Sequence, residues 1–143
     1  MSKLVLVTGG TRGIGAAIAK RLKDDGNEVI STFIGQEEAA KKYTEETGIK
    51  TYKFDVGYFE SCQKGIEEVE KSTGKTVDVL VNNAGITRDR FLHKMSVDEW
   101  NAVINTNLNS AFNMTRCVIE KMRAKGYGRI KNISSINGIK GQI

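Results

Sequence analysis

Short apolar runs alternate along the whole chain with segments whose apolar residues recur every three or four positions. Such runs are typical of strands buried on both faces of a parallel sheet, and the three-four spacing is typical of helices packed on that sheet. The pattern predicts five strands, in the segments KLVLVTGG, NEVISTF, KTYKFDV, TVDVLVNNAG and GRIKNISS. Their alternation with helices favours an α/β fold built on a doubly wound parallel sheet.

The predicted helices carry recognisable ends. The first has Ile14, Ile18 and Leu22 on one face and stops at Gly26, and two more helices stop at Gly48 and Gly74. Right-handed connections between parallel strands place such helices on both faces of the sheet. The chain contains no repeat, linker or low-complexity segment, so residues 1–143 are predicted to form a single domain.

The longest predicted helix covers residues 96–125. It begins with SVDE, which has the spacing of a capping box, and its apolar positions form an unusually wide face. Asn107 falls on the face defined by Ile104, Leu108 and Ala111. A polar side chain there needs a partner, and a satisfied amide in the core is one way to provide it.

Composition narrows the classes of function. Hydrophobic residues make up 39% of the 143 and the net charge is +5, but the Lys and Arg residues form no basic run. The sequence therefore indicates no nucleic-acid partner and is compatible with an anionic small ligand. No apolar stretch is long enough for a membrane span, so no membrane association is expected. Cys62 and Cys117 lack metal-ligand spacing and are predicted to be free thiols, as in the reducing cytoplasm.

The first strand runs directly into the glycine-rich segment TGGTRGIG, which opens the first helix. Gly9 permits a tight turn, Gly13 lets backbone approach a pyrophosphate, and Gly15 lets the helix pack closely on the sheet. The helix N-terminus would then face the phosphates with its N–H groups. In this strand–loop–helix context the segment predicts a dinucleotide site.

The glycine spacing, Gly-x-x-x-Gly-x-Gly, resembles the cofactor loop of the short-chain dehydrogenase/reductase family. Three further segments resemble motifs of that family, in the same order: NNAG at Asn82–Gly85, NTNL at Asn105–Leu108 and NISS at Asn132–Ser135. The resemblance implies a Rossmann-type sheet of strand order 3-2-1-4-5, an oxidoreductase activity and a nicotinamide cofactor. It also implies a seam between two copies of the chain along the 96–125 helix.

The resemblance also assigns residues to the cofactor. It implies that Asp55 contacts the adenine, although the residues alone allow an ordinary helix N-cap there. The predicted cofactor-binding residues are Gly9, Thr11, Arg12, Gly13, Ile14, Gly15, Asp55, Val56, Asn82, Asn83, Ala84 and Gly85.

Two observations favour NADPH over NAD. An NAD-binding fold usually has an acid at the end of the second strand, where this chain reads STFIGQ and has no acid before Glu37. Arg12 lies inside the glycine loop, where the family often keeps a cation for the 2′-phosphate. NAD remains the alternative cofactor if the Glu37 carboxylate reaches the ribose hydroxyls.

The resemblance implies that Ser135, rather than the neighbouring Ser134, holds the substrate carbonyl. It implies that Asn107 lies at a local break in its helix and helps to hold a water of the proton relay. The family's proton donor is the tyrosine of a Tyr-x-x-x-Lys pair, which should fall beyond Ile143. The domain is therefore predicted to be incomplete at its C-terminus, and the chain alone to have little or no activity.

The later segments resemble two subfamilies of reductases acting on 3-oxoacyl thioesters. One converts acetoacetyl-CoA to (R)-3-hydroxybutyryl-CoA for polyhydroxybutyrate, and GRIKNISSINGIKGQ resembles it more closely. The other reduces 3-oxoacyl-[acyl-carrier-protein] in fatty-acid synthesis. Arg88, Arg90 and Lys94 could form a positive rim for either anionic carrier, or a solvated basic loop. A non-catalytic remnant that at most binds nucleotide is the remaining alternative.

Overall fold

Five parallel strands form the central sheet of the computed structural model, which describes residues 1–141. The strands are β1 Leu4–Val7, β2 Glu28–Phe33, β3 Lys50–Lys53, β4 Val79–Asn82 and β5 Arg129–Asn132. Their order is β3-β2-β1-β4-β5, and each neighbouring pair is parallel. The predicted Rossmann-type sheet, including its strand order, is confirmed.

Helices follow the strands in the predicted places. They are α1 Gly13–Asp24, α2 Glu37–Thr47, α3 Phe59–Thr73, α4 Val97–Val103, α5 Ser110–Ala124 and the short α6 Asn137–Lys140. Gly48 and Gly74 end α2 and α3 with φ values of +67°, a conformation that glycine adopts without strain. A single 3₁₀ turn at Leu92–Lys94 and α6 were not predicted, because elements of three or four residues leave no periodic pattern.

The predicted 96–125 helix contains a π-helical turn at Ile104–Asn109 that joins α4 to α5. Its start is confirmed, since Ser96 and Glu99 make both hydrogen bonds of a capping box. A π turn adds a residue to one turn and so rotates the positions on either side of it relative to one another. Asn107 is consequently exposed, and the prediction that its side chain lies on the core face is wrong.

Successive side chains of β1 point to opposite faces of the sheet, and the core has one layer on each face. Leu4 and Leu6 pack with α3 and α5 on one face, and Val5 and Val7 pack with α1 and α2 on the other. Within residues 1–141, no helix is both long and apolar enough to cross a membrane.

The buried face of α1 differs from the predicted one. Gly15 and Ala19 are buried, Ile18 and Leu22 are only partly buried, and Ile14 is exposed. Because Gly15 has no side chain, the helix lies close to the loops at the end of the sheet, and Ile14 is left at the surface beside them.

Structural contacts occupy the amino end of the sheet. Asp78 accepts a hydrogen bond from the backbone N–H of Leu4 (2.8 Å) and pairs with Lys125 (2.7 Å). Burial opposes ionisation of Asp78, but Lys125, the Leu4 N–H and the charge of Lys3 outweigh it and hold the pKa of Asp78 below its usual value. These contacts tie the start of β1 to the start of β4 and to the end of α5.

Candidate functional site

A cavity of about 690 Å³ opens at the carboxyl ends of the strands. Ligands bind at this edge of open α/β sheets, beside the point where the strand order reverses, which here lies between β1 and β4. The volume is suited to a small organic ligand. The loops after β1 to β4 and the π turn line it, at Gly9, Thr11, Arg12, Gly13, Ile14, Gly15, Thr32, Phe33, Ile34, Gly35, Gln36, Ala39, Phe54, Asp55, Val56, Gly57, Tyr58, Asn83, Ala84, Gly85, Ile86, Arg88, Ala102, Asn105 and Thr106.

Thr8 joins two of these loops from beneath. Its buried hydroxyl accepts hydrogen bonds from the backbone N–H groups of Asn83 and Ala84 (3.0 Å each) and donates to the carbonyl of Val81 (3.4 Å). The sequence analysis missed this residue, although a threonine that ends an apolar strand signals a hydroxyl in need of partners. Thr8 thus fixes the glycine loop against the loop after β4.

The glycines bring the loop backbones into close contact. A Cβ atom on Gly15 would lie 2.5 Å from the carbonyl oxygen of Gly9 and closer still to the Asn83 amide. That amide donates hydrogen bonds to the carbonyls of Thr8 (3.1 Å) and Gly9 (3.2 Å). Gly13, with φ of +54°, has open space where a side chain would be. The glycine loop therefore leaves its backbone accessible from the cavity.

The first turn of α1 faces this loop without a side-chain cap among the described residues. Its free backbone N–H groups and the positive end of the helix dipole can hold a phosphate. Arg12 precedes the helix, is exposed and lines the cavity. Arg12 and Arg88 are the cations of the described cavity wall, and Asp55 is its single acid.

Asp55 lies after β3 and organises a turn. Its carboxylate accepts a hydrogen bond from the backbone N–H of Gly57 (2.9 Å), and its own N–H donates to Ser61 (2.9 Å). The residue that precedes α3 is Tyr58, so the alternative that Asp55 is the helix N-cap is wrong. Asp55 and Val56 both line the cavity, as the cofactor prediction requires.

Glu37 does not line the cavity. It pairs with Lys53 on the adjacent strand end, and this hydrogen bond and charge hold the pKa of Glu37 below its usual value. The wall after β2 is instead formed by uncharged residues, among them Gln36, whose φ of +56° turns the chain into α2. Glu37, the acid on which the NAD alternative depended, is therefore paired with Lys53 at the surface.

Asn82 also lies outside the cavity, although it was predicted to bind cofactor. As the last residue of β4 it is buried, and its amide donates to the side-chain oxygen of Asn132 on β5 (2.9 Å). Adjacent residues of a strand point to opposite faces, so Asn82 ties the two strands while Asn83, Ala84 and Gly85 follow along the cavity.

Asn107 reaches across to the loop after β4. Its carboxamide oxygen accepts from the backbone N–H of Ile86 and its amide donates to the Ile86 carbonyl, both at 2.8 Å. The local break that the resemblance implied is present as the π turn. Each polar group of the side chain makes one hydrogen bond to Ile86, which leaves a second amide N–H and a second lone pair of the oxygen for a water. The predicted role of Asn107 in the proton relay stays a prediction.

Ser135 is exposed just beyond β5, at the same edge of the sheet as the cavity but outside its wall. Its hydroxyl oxygen accepts a hydrogen bond from the backbone N–H of Asn137 (3.2 Å). Ser134 is exposed as well. The position of Ser135 at the carboxyl end of a strand is compatible with its predicted role, which stays a prediction.

The comparison with known families agrees with this arrangement of loops. The model of the short chain dehydrogenase family matches residues 3–143, almost the whole chain. The chain belongs to this family. In this member of the family, the glycine loop and the Asn83–Gly85 loop both line the cavity.

Individual relatives are reductases by name. The acetoacetyl-CoA reductases of Shinella zoogloeoides and Paracoccus denitrificans are 57% and 56% identical over 100% and 98% of the chain. The 3-oxoacyl-[acyl-carrier-protein] reductase FabG of Vibrio harveyi is 43% identical over 97%. The chain spans 59%, 57% and 57% of the lengths of these three relatives.

One pair in the chain has the spacing of the family's Tyr-x-x-x-Lys, at Tyr127 and Lys131. The structure places Tyr127 before β5, at the amino end of the sheet, where its ring lies against Lys3 (3.9 Å) and Arg129 (4.9 Å). The cavity is at the opposite end, so Tyr127 cannot serve it as a proton donor.

Proposed function

We propose that the chain forms the NADPH-binding part of a reductase of 3-oxoacyl thioesters, with acetoacetyl-CoA as the substrate. The observation that carries the proposal is the cavity itself, in which the uncapped start of α1 and an open glycine loop face a turn organised by Asp55. The acetoacetyl-CoA reductases at 57% and 56% identity support the substrate. The relative of 43% identity named for acyl-carrier-protein supports 3-oxoacyl-[acyl-carrier-protein] as the second candidate.

In this proposal different residues bind different parts of the cofactor and the substrate. The backbone of Gly13–Gly15 and the start of α1 hold the pyrophosphate, and the Asp55–Val56 segment holds the adenine. Asn107 fixes Ile86 and with it the loop near the reacting end. The nicotinamide, when bound, supplies a hydride. Ser135 would hydrogen-bond the substrate carbonyl, and Arg88 would attract the anionic carrier.

NADPH is favoured over NADH by the charges around the cavity. Arg12 lies at the rim and, among residues 1–141, makes no side-chain hydrogen bond or ion pair, so its charge is available for a 2′-phosphate. Glu37, which would repel that phosphate, is neutralised by Lys53. Arg90 is less available than Arg88, because it pairs with the capping-box residue Glu99 (2.7 Å).

Replacing Arg12 by alanine is expected to weaken NADPH binding about tenfold, because a charge-assisted contact to the 2′-phosphate contributes roughly 1.5 kcal/mol. NADH, which lacks that phosphate, should bind as before. Fluorescence titration of both dinucleotides measures the difference. Arg21→Ala, an exposed arginine on α1 that does not line the cavity, is the matched control. Equal losses for NADPH and NADH would contradict the assignment of Arg12.

Turnover tests the activity itself. The Tyr-x-x-x-Lys pair of the family has no counterpart at the cavity within residues 1–141, so we expect the verified 143-residue chain to bind NADPH with little or no oxidation of it by acetoacetyl-CoA. The intact mass of the protein must be measured on the same sample as the assay. Turnover by a 15.8 kDa chain would contradict the expected incapacity, and failure to bind any dinucleotide would contradict the proposed function.

We also propose that α4 and α5 form a seam between two copies of the chain. Val97, Trp100, Leu108 and Phe112 are large apolar side chains exposed on this helical segment, and the ring of Phe59 lies beside Phe112. Contiguous exposed apolar side chains of this kind mark interaction surfaces.

Phe112→Asp is expected to shift the chain to monomers, because it places a charge in the apolar seam. Sedimentation velocity measures the shift, with Arg123→Glu on the same helix as the control. A wild-type chain that sediments as a monomer at all concentrations would contradict the seam.

A cytoplasmic location completes the proposal. Both cysteines are free thiols, as expected in a reducing compartment. Burial also raises the pKa of the Cys62 thiol to about 12, so this thiol stays protonated at neutral pH. Cell fractionation with a periplasmic marker tests it, and recovery of the chain with that marker would contradict it.

A further inference from the structure

A buried amide outside the cavity holds the turn at its adenine end. Asn113 lies on α5, one turn beyond the π turn, and only 6% of its surface is exposed. Its side-chain amide donates a hydrogen bond to the backbone carbonyl of Val56 at 3.0 Å. Val56 lines the cavity, whereas Asn113 does not. The contact therefore links the cavity wall to a helix on the far side of it.

The other polar groups of this turn are held mainly from α3. The N–H of Asp55 donates to Ser61, and the Val56 carbonyl also receives the thiol of Cys62 (3.4 Å). Burial raises the pKa of that thiol to about 12, so it remains protonated and able to donate. A thiol is a weak donor, which leaves the Asn113 amide as the stronger partner of the carbonyl.

The turn also rests directly on the π-helical segment. A Cβ atom on Gly57 would lie 3.4 Å from both the backbone and the Cβ of Asn105. Two residues beyond Asn105, the side chain of Asn107 holds Ile86 in the loop after β4. The helical segment from α4 to α5 thus contacts two separate parts of the cavity wall, and Asn113 forms its hydrogen bond to the adenine part.

We propose that Asn113 is a positioning residue for the adenine end of the cofactor. The inference rests on the proposed function, because it takes the Asp55–Gly57 turn as the adenine site. An asparagine in this apolar layer, next to the fully buried Met114, is costly unless its amide is paired. Its partner is the carbonyl of a cavity-lining residue, so its removal leaves that carbonyl short of a donor and frees the turn to move.

The matched pair Asn113→Leu and Met114→Ala separates positioning from stability. Both change a buried residue of the same helical turn, but only the first removes a hydrogen bond to the cavity wall. For Asn113→Leu we expect about tenfold weaker binding of adenosine 2′,5′-bisphosphate by calorimetry, as for the loss of one buried hydrogen bond. Reduced nicotinamide mononucleotide should bind as in the wild type. Met114→Ala should lower the melting temperature but leave both affinities within about twofold.

Hydrogen exchange gives a second measurement that needs no ligand. Asn113→Leu should speed exchange of the backbone amides of residues 55–57 more than Met114→Ala does, while leaving Ile86 unchanged. If Asn113→Leu does not fold, Asn113→Asp is used in its place, since it keeps the size of the side chain but presents no amide N–H to Val56.

The outcomes distinguish this inference from the proposed function. A wild-type chain that fails to bind the bisphosphate contradicts the proposed function, and the exchange of residues 55–57 then decides the role of Asn113 alone. If the wild type binds and Asn113→Leu binds equally well, the positioning role is overturned. Equal losses of affinity in Asn113→Leu and Met114→Ala overturn it too, because they indicate general destabilisation.

Discussion

Replacing Thr8 by valine is expected to lower the free energy of unfolding by about 2–4 kcal/mol and to abolish measurable dinucleotide binding. Valine has nearly the same shape but cannot accept a hydrogen bond. The backbone N–H groups of Asn83 and Ala84 would therefore lose their shared partner at a buried position. Two partly buried donors left without a partner, at about 1–2 kcal/mol each, account for the expected loss.

Denaturant unfolding and NADPH titration measure the two parts of this prediction. Thr8→Ser is the matched control, because its hydroxyl can make the same hydrogen bonds without the methyl group. We expect serine to retain most of the binding. If valine binds NADPH as tightly as threonine, the loop after β4 does not depend on this hydroxyl and our account of the junction is wrong.

Gly15→Ala is expected to weaken NADPH binding by at least about 30-fold, corresponding to roughly 2 kcal/mol of overpacking at the glycine loop. The added methyl group would overlap the Gly9 carbonyl and the Asn83 amide, which are held to each other by a hydrogen bond. Neither is the end of a flexible side chain free to move away. The loop and the start of α1 would have to separate, which displaces the N–H groups that face the phosphates.

Gly35→Ala is the control for this substitution. Gly35 also lines the cavity, but nothing lies within 4 Å of the position that its Cβ would take. Its affinity for NADPH should change by less than about threefold, which is under 1 kcal/mol. Comparable losses in both variants would indicate that any methyl group in the cavity interferes, and would contradict the role given to close packing at Gly15.

The loop residues also illustrate how far local sequence could predict the site. The spacing of Gly9, Gly13 and Gly15 after an apolar strand predicted a loop that leaves its backbone open, and the structure has that loop. Asn82 and Asn83 are adjacent and identical in kind, so sequence could not separate them. Only the direction of each side chain at the end of β4 places one against β5 and the other beside the cavity.

The helical segment after β4 shows the same limit. Its start and its end were predictable from the capping box at Ser96 and the glycine at Gly126. The face occupied by Asn107 was not predictable, because apolar spacing indicates a uniform helical period and the π turn interrupts that period. The role of Asn113 could not be predicted from the sequence, because its partner is a backbone carbonyl 57 residues away.

The succession of strands and helices, the parallel sheet and the glycine loop at its edge follow from the sequence alone. These depend on the period of apolar residues and on glycines at fixed positions, which are local properties of the chain. Three contacts depend on the packing of the whole chain: Thr8 joins two loops, Lys53 pairs with Glu37 away from the cavity, and Asn113 donates to the Val56 carbonyl. Each of these is a hydrogen bond or ion pair between segments distant in sequence, and such partners are fixed only when the strands and helices pack.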